Sequence, residues 1–157
     1  MSYVLQPLLR IRTMREDRAS GELSAARREL AAAEDALEAR RRDLAAYEET
    51  KEERRDRVYD AVMGRPCSMD DLDKAREGVA RIDEEGVLKA DNVVRAEGVL
   101  HEKEEASAAA QGALNLAIKE RMKIEEHRQQ WVEEDRKEQE RLAEFELEDF
   151  TGRKQDD

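Results

Sequence analysis

Residues 63–71, MGRPCSMDD, are the only stretch in the middle of the chain that contains both glycine and proline. Gly64 suits the left-handed conformation that ends a helix, and Pro66 cannot continue one because it has no amide hydrogen. Ser68 is a favoured helix N-cap, and the two aspartates after it lie where carboxylates meet the positive end of the helix dipole. The stretch therefore predicts a short turn at 64–68 between two helices.

Apolar residues recur at intervals of seven on both sides of this turn. Before it, one row consists of Leu23, Leu30, Leu37 and Leu44. A second row, three residues later in each heptad, contains Ala26, Ala33 and Tyr47. After it, the two rows are Leu72, Val79, Gly86, Val93, Leu100, Ser107 and Leu114, with Ala75, Ile82, Lys89, Ala96, Lys103, Ala110, Ala117, Ile124 and Trp131. Such rows, with charge between them, predict a coiled-coil seam. Together with the short turn they predict an all-α fold, a long antiparallel two-helix coiled-coil hairpin.

The two predicted helices differ in length. Helix one is expected from about residue 8 to 63 and helix two from about 69 to 150, with a tail at 151–157 and the whole chain, 1–157, as one hairpin domain. The arms are therefore unequal, and helix two extends past the start of helix one. The extension contains Trp131, Leu142, Phe145, Leu147 and Phe150. Because exposed apolar side chains commonly mark a contact surface, we expect a partner to bind there.

Composition excludes most functions that need a pocket. Charged residues make up 44% and aromatic residues 4% of the chain, which leaves little material for a sheet or a thick core. High charge can also indicate disorder, but disordered segments lack sustained heptad order. The apolar cluster near the start is interrupted by Pro7 and Arg10, so it predicts neither a signal peptide nor a membrane span. With a single cysteine, Cys67, which cannot form an internal disulfide, the sequence favours a cytoplasmic protein without membrane insertion.

The charge is distributed unevenly along the chain. Residues 1–66 contain 14 Lys and Arg and 14 Asp and Glu, whereas residues 67–157 contain 15 and 26, so the net charge of −11 belongs to the second part. This argues against nucleic acid as a partner, because phosphate binding demands a net basic surface. A positively charged partner would be steered toward the second part, although an acidic excess also keeps exposed helices in solution.

Several positions weaken the predicted seam. Charged or small residues interrupt its rows at Arg40, Lys51, Arg54, Lys89, Lys103 and Ser107. Four glycines inside helix two, which each cost about 1 kcal/mol relative to alanine, are Gly78, Gly86, Gly98 and Gly112. These features are either the ordinary drift of a surface helix or a source of flexibility. We expect flexibility, with the helices stable only when they are paired.

No constellation of catalytic or metal-binding residues is visible in the sequence. The segment from His101 to Glu105 resembles a zinc motif, but the second histidine of the i, i+4 pair is missing. There is no glycine-rich phosphate loop, and no Ser or Cys nucleophile has a base nearby. The sequence therefore predicts no enzyme, no metal site and no cofactor.

A few aromatic residues either fill the seam or contact a partner. His127 and Trp131 lie one helical turn apart and share a face. This face either anchors a partner, since tryptophan is a preferred hot-spot residue, or packs on the first residues of the chain near Tyr3. Tyr47 falls on the heptad and is expected to fill the seam, whereas Tyr59 could fill the seam or be presented to a partner.

Both ends of the chain carry recognisable patterns. The start reads Tyr3-Val4-Leu5-Gln6-Pro7-Leu8-Leu9-Arg10-Ile11-Arg12, followed by Arg15, Asp17, Arg18 and Ala19. Two long helices around a short turn come next, and His127, Trp131 and a run of mixed charge follow near the other end. In these features the chain resembles the YscO-type proteins of bacterial type III secretion systems, the counterparts of flagellar FliJ.

The resemblance implies that the protein is a central stalk. Members of this family insert an antiparallel coiled coil into the hexameric secretion ATPase, connect it to the export gate, which is a membrane protein, and in some cases bind secretion chaperones. The resemblance implies ATPase contacts at Leu8, Leu9, Ile11, Arg12, Arg15 and Trp131. It places the contacts with the export gate or another partner at Tyr59, Arg65, Cys67 and Met69. A stalk of this kind would be a monomer in isolation and would act in the cytoplasm, peripheral to the inner-membrane secretion apparatus.

Two further functions are compatible with the residues. One is a self-associating coiled-coil spacer that dimerises through Trp131, Phe145 and Phe150. The other is a chaperone-like binder of secreted proteins that uses the acidic second helix, and such electrostatic binding would weaken at high salt.

Overall fold

The chain folds into two helices joined by a turn. A computed structural model describes residues 2–153, in which α1 spans Gln6–Asp60 and α2 spans Met69–Arg153. Glu29 pairs with Lys103, and Arg54, later in α1, pairs with Glu85, earlier in α2, which shows that the helices run antiparallel. The fold is therefore an all-α, antiparallel two-helix coiled-coil hairpin, with unequal arms of 55 and 85 residues.

The turn between the helices contains the features expected from its sequence. Gly64 has a φ of 73°, in the left-handed region that glycine occupies without a steric penalty. The amide of Asp71 donates to the hydroxyl of Ser68 at 3.2 Å, and the amide of Ser68 donates to the carboxylate of Asp71 at 3.2 Å. This reciprocal pair caps the first turn of α2.

The helix ends differ from the expected ones by a few residues. Whereas the sequence suggested helix one at about 8–63, α1 begins at Gln6 and ends at Asp60. The amides of Val62 and Met63 both donate to the carbonyl of Tyr59, at 3.0 and 2.9 Å, so the chain tightens into a turn before Gly64. Helix α2 continues to Arg153, three residues past the expected 150.

Contacts divide the chain into two compact units, and each contains a stretch of both helices. The terminal unit comprises the residues up to Leu23 and those from Ala110 onward, and the turn unit comprises Ser24–Ala109. The sequence had suggested one hairpin domain. Within the described residues, neither helix contains a segment long and apolar enough to cross a membrane.

The turn unit has a narrow apolar core between its two helix segments. Its buried side chains are Ala33, Leu37, Tyr47, Ala75, Val79 and Ile82. All of them belong to the heptad rows read from the sequence. Each large apolar side chain removed from water stabilises the pair by about 1.5–3 kcal/mol. The heptad seam therefore holds this unit together.

Three of the five charged residues that interrupt the seam of the turn unit pair across it. Lys89 donates to Asp43 at 2.8 Å, and Lys103 donates to Glu29 at 3.0 Å. Arg54 donates to Glu85 at 2.7 Å. Long basic side chains can cover apolar surface while their charged ends reach the rim of the seam. These three positions are therefore contacts between the helices.

The terminal unit buries fewer apolar side chains than the turn unit, and its ion pairs between the helices are better sheltered from solvent. Its buried apolar residues are Tyr3, Leu9, Ala19 and Leu23. Arg12 forms an ion pair with Glu120, and Arg121 pairs with both Glu16 and Glu125. The side chains of Arg12 and Arg121 are 25% and 26% exposed, so these pairs are more sheltered from solvent than most others in the chain.

Candidate partner-binding surfaces

Tyr3 packs on the face of α2 that carries His127 and Trp131. The Tyr3 hydroxyl lies 2.7 Å from Nδ1 of His127, and the tyrosine ring centroid lies 5.5 Å from that of Trp131. Tyr3 is only 7% exposed. Of the two interpretations of Trp131, packing on the first residues of the chain is the one observed. Trp131 was expected to lie in the unpaired extension of helix two, but it has an intramolecular partner, because Tyr3 packs against its ring.

One of the ion pairs of the terminal unit uses a charge that the resemblance assigns to a partner. Arg12, expected to contact the ATPase, pairs with Glu120 within the terminal unit. The Arg121 guanidinium donates to Glu16, and this hydrogen bond raises the pKa of Arg121 above its ordinary value, with Glu125 adding to the effect. The charges of Arg12 and Arg121 are therefore largely engaged by carboxylates of the same unit.

The remaining residues implied for ATPase contact lie in different environments. Leu9 is buried against α2 and Leu8 is partly buried, whereas Ile11 is 46% exposed and Arg15 is exposed. Leu9 therefore belongs to the seam of the terminal unit, because its position in the heptad turns it toward α2. Ile11 and Arg15 are the members of this set that α1 presents to solvent.

The last part of α2 presents several large apolar side chains to solvent. Among residues 132–152 all but Asp135 are exposed. We define the C-terminal apolar face as three residues on one side of this segment, which are 52 to 63% exposed: Leu142, Phe145 and Phe150. Leu147 is 64% exposed and lies farther round the helix. Residues 132–150 also contain nine Asp and Glu against three Lys and Arg. A partner that covers this face would need an apolar centre surrounded by basic groups.

The residues implied for contact with the export gate are exposed in the turn unit. Tyr59 is 40% and Met69 is 71% exposed, and Arg65 and Cys67 are also exposed. A shallow groove of about 610 Å³ lies beside them and is lined by Val58, Ala61, Val62, Arg65, Pro66, Cys67, Asp71, Lys74, Ala75 and Gly78. The end of the hairpin therefore offers accessible apolar surface next to Arg65.

An exposed apolar patch on α2 of the turn unit was missed by the sequence reasoning. Val87 is 64%, Leu88 56% and Val94 64% exposed, and acidic residues lie beside them, including Asp91. The heptad rows assign neighbouring positions to the seam, so these three residues fall outside it. Apolar residues between the rows of a coiled coil are the signal that could have identified the patch.

The described residues do not form a metal site of the usual kind. No group of three or more His, Cys, Asp or Glu side chains in residues 2–153 is arranged to hold a metal ion. His101 forms an exposed contact with Glu105, its i+4 neighbour, at 3.1 Å. The segment that resembled a zinc motif is thus an ordinary pair on a helix surface.

Comparison with known proteins agrees with this architecture. The crystal structure of the type III secretion protein YscO from Vibrio parahaemolyticus is similar with a TM-score of 0.87 and 22% identity, covering 93% of this chain and 92% of that one. A structure of CT670 from Chlamydia trachomatis, described as a YscO homolog, is similar with a TM-score of 0.75 and 21% identity, covering 96% and 92%. A comparison with curated proteins gives no significant match.

These two structures show similarity of fold alone, because their sequence identities to this chain are only 22% and 21%. Assignment to a family depends instead on the sequence pattern of the chain. The family model described as type III secretion protein YscO matches residues 5–153, which is nearly the whole chain. The chain therefore belongs to the YscO family of type III secretion proteins.

Proposed function

We propose that this protein is the non-catalytic central stalk of a bacterial type III secretion system, contacting the hexameric secretion ATPase through its terminal unit. The observation that carries the proposal is the C-terminal apolar face, an acidic stretch of α2 whose large apolar side chains are exposed. We assign Trp131, Ile11 and Arg15, which belong to the same unit, to the same partner. In this proposal the main contact with the ATPase is at the end of α2, and not at Leu9 and Arg12.

The physical basis of the proposal is differential binding. A two-helix coiled coil has no rotational symmetry that matches a ring of six subunits, so each subunit would meet a different part of its surface. Such a ligand can bias the conformational equilibria of the subunits only if it binds their states with different affinities. The YscO family is a family of secretion proteins and is not known as an enzyme family, so we assign ATP hydrolysis to the ring.

The ATPase contact can be tested with purified proteins. We expect the chain to promote assembly of the cognate secretion ATPase, measured by light scattering, and to increase its rate of ATP hydrolysis. The double variant Leu142→Ser/Phe145→Ser should lose both effects. Val87→Ser/Leu88→Ser, which removes two equally exposed apolar side chains from the turn unit, is the matched control. An unmodified chain that neither binds the ATPase nor changes its rate would refute the proposal.

We propose that the turn unit contacts the export gate, a membrane protein of the apparatus, through Tyr59, Arg65, Cys67 and Met69. Cys67 is the only cysteine of the chain and is exposed, so a photo-crosslinker can be attached to it without other changes. We expect this probe to capture the cytoplasmic domain of the gate protein. The control is the same probe on Ser20→Cys in a Cys67→Ser background, at an exposed position of the terminal unit. Equal capture from both positions would contradict the assignment.

We also propose that secretion chaperones bind the exposed patch of Val87, Leu88 and Val94. The acidic residues beside it would attract a basic chaperone surface, while the apolar side chains would provide contact area. We expect Val87→Ser/Leu88→Ser to weaken binding of a cognate chaperone in calorimetric titrations, and Leu142→Ser/Phe145→Ser to leave it unchanged. The opposite pattern would assign chaperone binding to the terminal unit.

The competing proposal is a self-associating spacer that uses the exposed aromatic residues of α2. The stalk proposal expects a monomer in isolation that works in the cytoplasm, peripheral to the inner-membrane apparatus, whereas the spacer expects a dimer that dissociates on dilution. Because residues 132–150 carry a clear acidic excess, two copies of this segment would repel each other. Light scattering across a dilution series distinguishes the two proposals.

A further inference from the structure

Tyr47 of α1 inserts its ring at the only position of the facing α2 row that has no side chain. Tyr47 is 4% exposed, and its hydroxyl donates to the backbone carbonyl of Ile82. A Cβ atom added at Gly86 would lie 2.6 Å from the tyrosine oxygen and 2.7 Å from Cε1. The ring therefore occupies the space that any other residue at position 86 would fill. The glycine that looked like a weakness of helix two provides the room for this contact.

Each partner of this contact is unique within its own heptad row. The row of Tyr47 is Ala26, Ala33, Arg40, Tyr47 and Arg54, in which the tyrosine is the only large apolar residue. The facing row is Leu72, Val79, Gly86, Val93 and Leu100, in which the glycine is the only residue without a Cβ. A shift of one heptad in either direction would place the tyrosine ring against a valine. Overpacking of this kind destabilises the folded state.

We propose that Tyr47 and Gly86 form a register lock, which specifies how α1 and α2 align in the turn unit independently of the connecting turn. The leucine row of α1 cannot provide this information, because Leu30, Leu37 and Leu44 are equivalent under a shift of seven residues. The ion pairs across the seam favour the same alignment, but partly exposed pairs contribute little. A single large residue facing a single gap discriminates between alignments in the way that a lone polar residue does in other coiled coils. This inference depends on the fold and not on the proposed function.

The first test measures whether the two positions are coupled. In the unmodified chain, Gly86→Ala should raise the unfolding equilibrium constant by about tenfold or more, because the new methyl group collides with the ring. In a Tyr47→Ala or Tyr47→Leu background, the same substitution should lower that constant, because alanine is the better helix former. Gly98→Ala, which meets nothing within 4 Å, is the matched control and should be stabilising in every background. Equal effects of Gly86→Ala with and without the tyrosine would overturn the proposal.

The second test measures the alignment itself. Nitroxide labels on Ala32→Cys and Glu102→Cys, two exposed positions of the turn unit, report the distance between the helices in a Cys67→Ser background. Inserting eight Gly and Ser residues after Arg65 removes the constraint imposed by the turn. With the lock intact, the distance distribution should keep its single peak despite this insertion.

A side chain that fills the space at Gly86 should then allow α1 and α2 to shift in register. In the chain with the lengthened turn, Gly86→Val should broaden the distribution or move its peak to a longer distance, because a slip of one heptad displaces the two labels by about 10 Å along the helix axis. A distribution that broadens with the insertion alone would show that the turn sets the register. An unchanged peak after Gly86→Val would show that other contacts set it, and either result would overturn the proposal.

Discussion

The two units join stretches of the same two helices by different means. In the turn unit, six apolar side chains are buried and three charged residues at the seam pair across it at its rim. In the terminal unit, four apolar residues are buried, and the partly sheltered Arg12 and Arg121 pair with three glutamates of the same unit. Because the turn unit buries more apolar side chains between its helix segments, we expect it to be the more stable of the two, whereas the terminal unit presents the exposed apolar residues at the end of α2. Surfaces that bind partners are commonly drawn from the less stable parts of a protein.

The largest effect should follow from removing a buried leucine of the turn unit. Leu37 is 5% exposed, and Leu37→Ala should lower the free energy of unfolding by about 2–5 kcal/mol, since it removes buried methyl groups and leaves a cavity. Chemical unfolding followed by circular dichroism measures the loss. Leu142→Ala in the terminal unit, where the side chain is 52% exposed, should change stability by less than about 0.5 kcal/mol. Similar losses in the two variants would remove the contrast between the units.

A smaller effect, confined to the terminal unit, should follow from Tyr3→Ala. The substitution removes the ring contact with Trp131 and the hydrogen bond to His127, which together stabilise the local packing by about 1–3 kcal/mol. Trp131 is the only tryptophan, so its fluorescence reports this site alone. We expect its emission to shift to longer wavelength as water gains access to the indole ring. Tyr59→Ala, in the turn unit, should leave the emission unchanged.

Much of the fold could be predicted because heptad spacing and turn chemistry are local properties. The rows containing Leu37 and Val79 identified both sides of the seam, and Gly64 and Ser68 identified the turn. The role of Gly86 could not be predicted in the same way. A glycine within a helix is expected to weaken it, and its packing role becomes clear only when the residue across the seam is known. That residue, Tyr47, is 39 positions away in the sequence.

The candidate site was less predictable than the fold, because the exposure of a residue depends on which faces of the two helices pack against each other. Leu9 and Arg12 were implied as partner contacts, but the antiparallel pairing turns one into the seam and brings the other to Glu120. The sequence does not single out Val87 and Leu88, since only their distance from the seam distinguishes them from buried residues. The assignment of any of these surfaces to a partner stays a prediction.

The hydroxyl of Tyr47 allows a finer test within the turn unit. Tyr47→Phe keeps the ring in the gap at Gly86 and removes only the hydrogen bond to the carbonyl of Ile82. That carbonyl remains an acceptor within α2, so the loss should be about 0.5–1.5 kcal/mol. Chemical unfolding measures it, and the distance distribution between helix labels should not change. A shift in register from Tyr47→Phe would mean that the hydrogen bond, and not the shape of the ring, aligns the helices.

The smallest effect concerns the pH dependence of the ion pair between Arg54 and Glu85 in the turn unit. The hydrogen bond from Arg54 lowers the pKa of Glu85 below its ordinary value of 4.5, and Lys89 adds to the effect. Because the folded state lowers this pKa, the stabilisation is fully present above the unfolded value and is lost as pH falls through the folded value. Glu85→Gln should therefore reduce Tm at about pH 7, and the difference from the unmodified chain should shrink as the pH falls below about 4.5. Glu104→Gln, at an exposed position of the same helix and unit, serves as the control and should show no such convergence. A Tm difference for Glu85→Gln that is the same at about pH 3 and pH 7 would mean that the side chain contributes through packing and not through its charge.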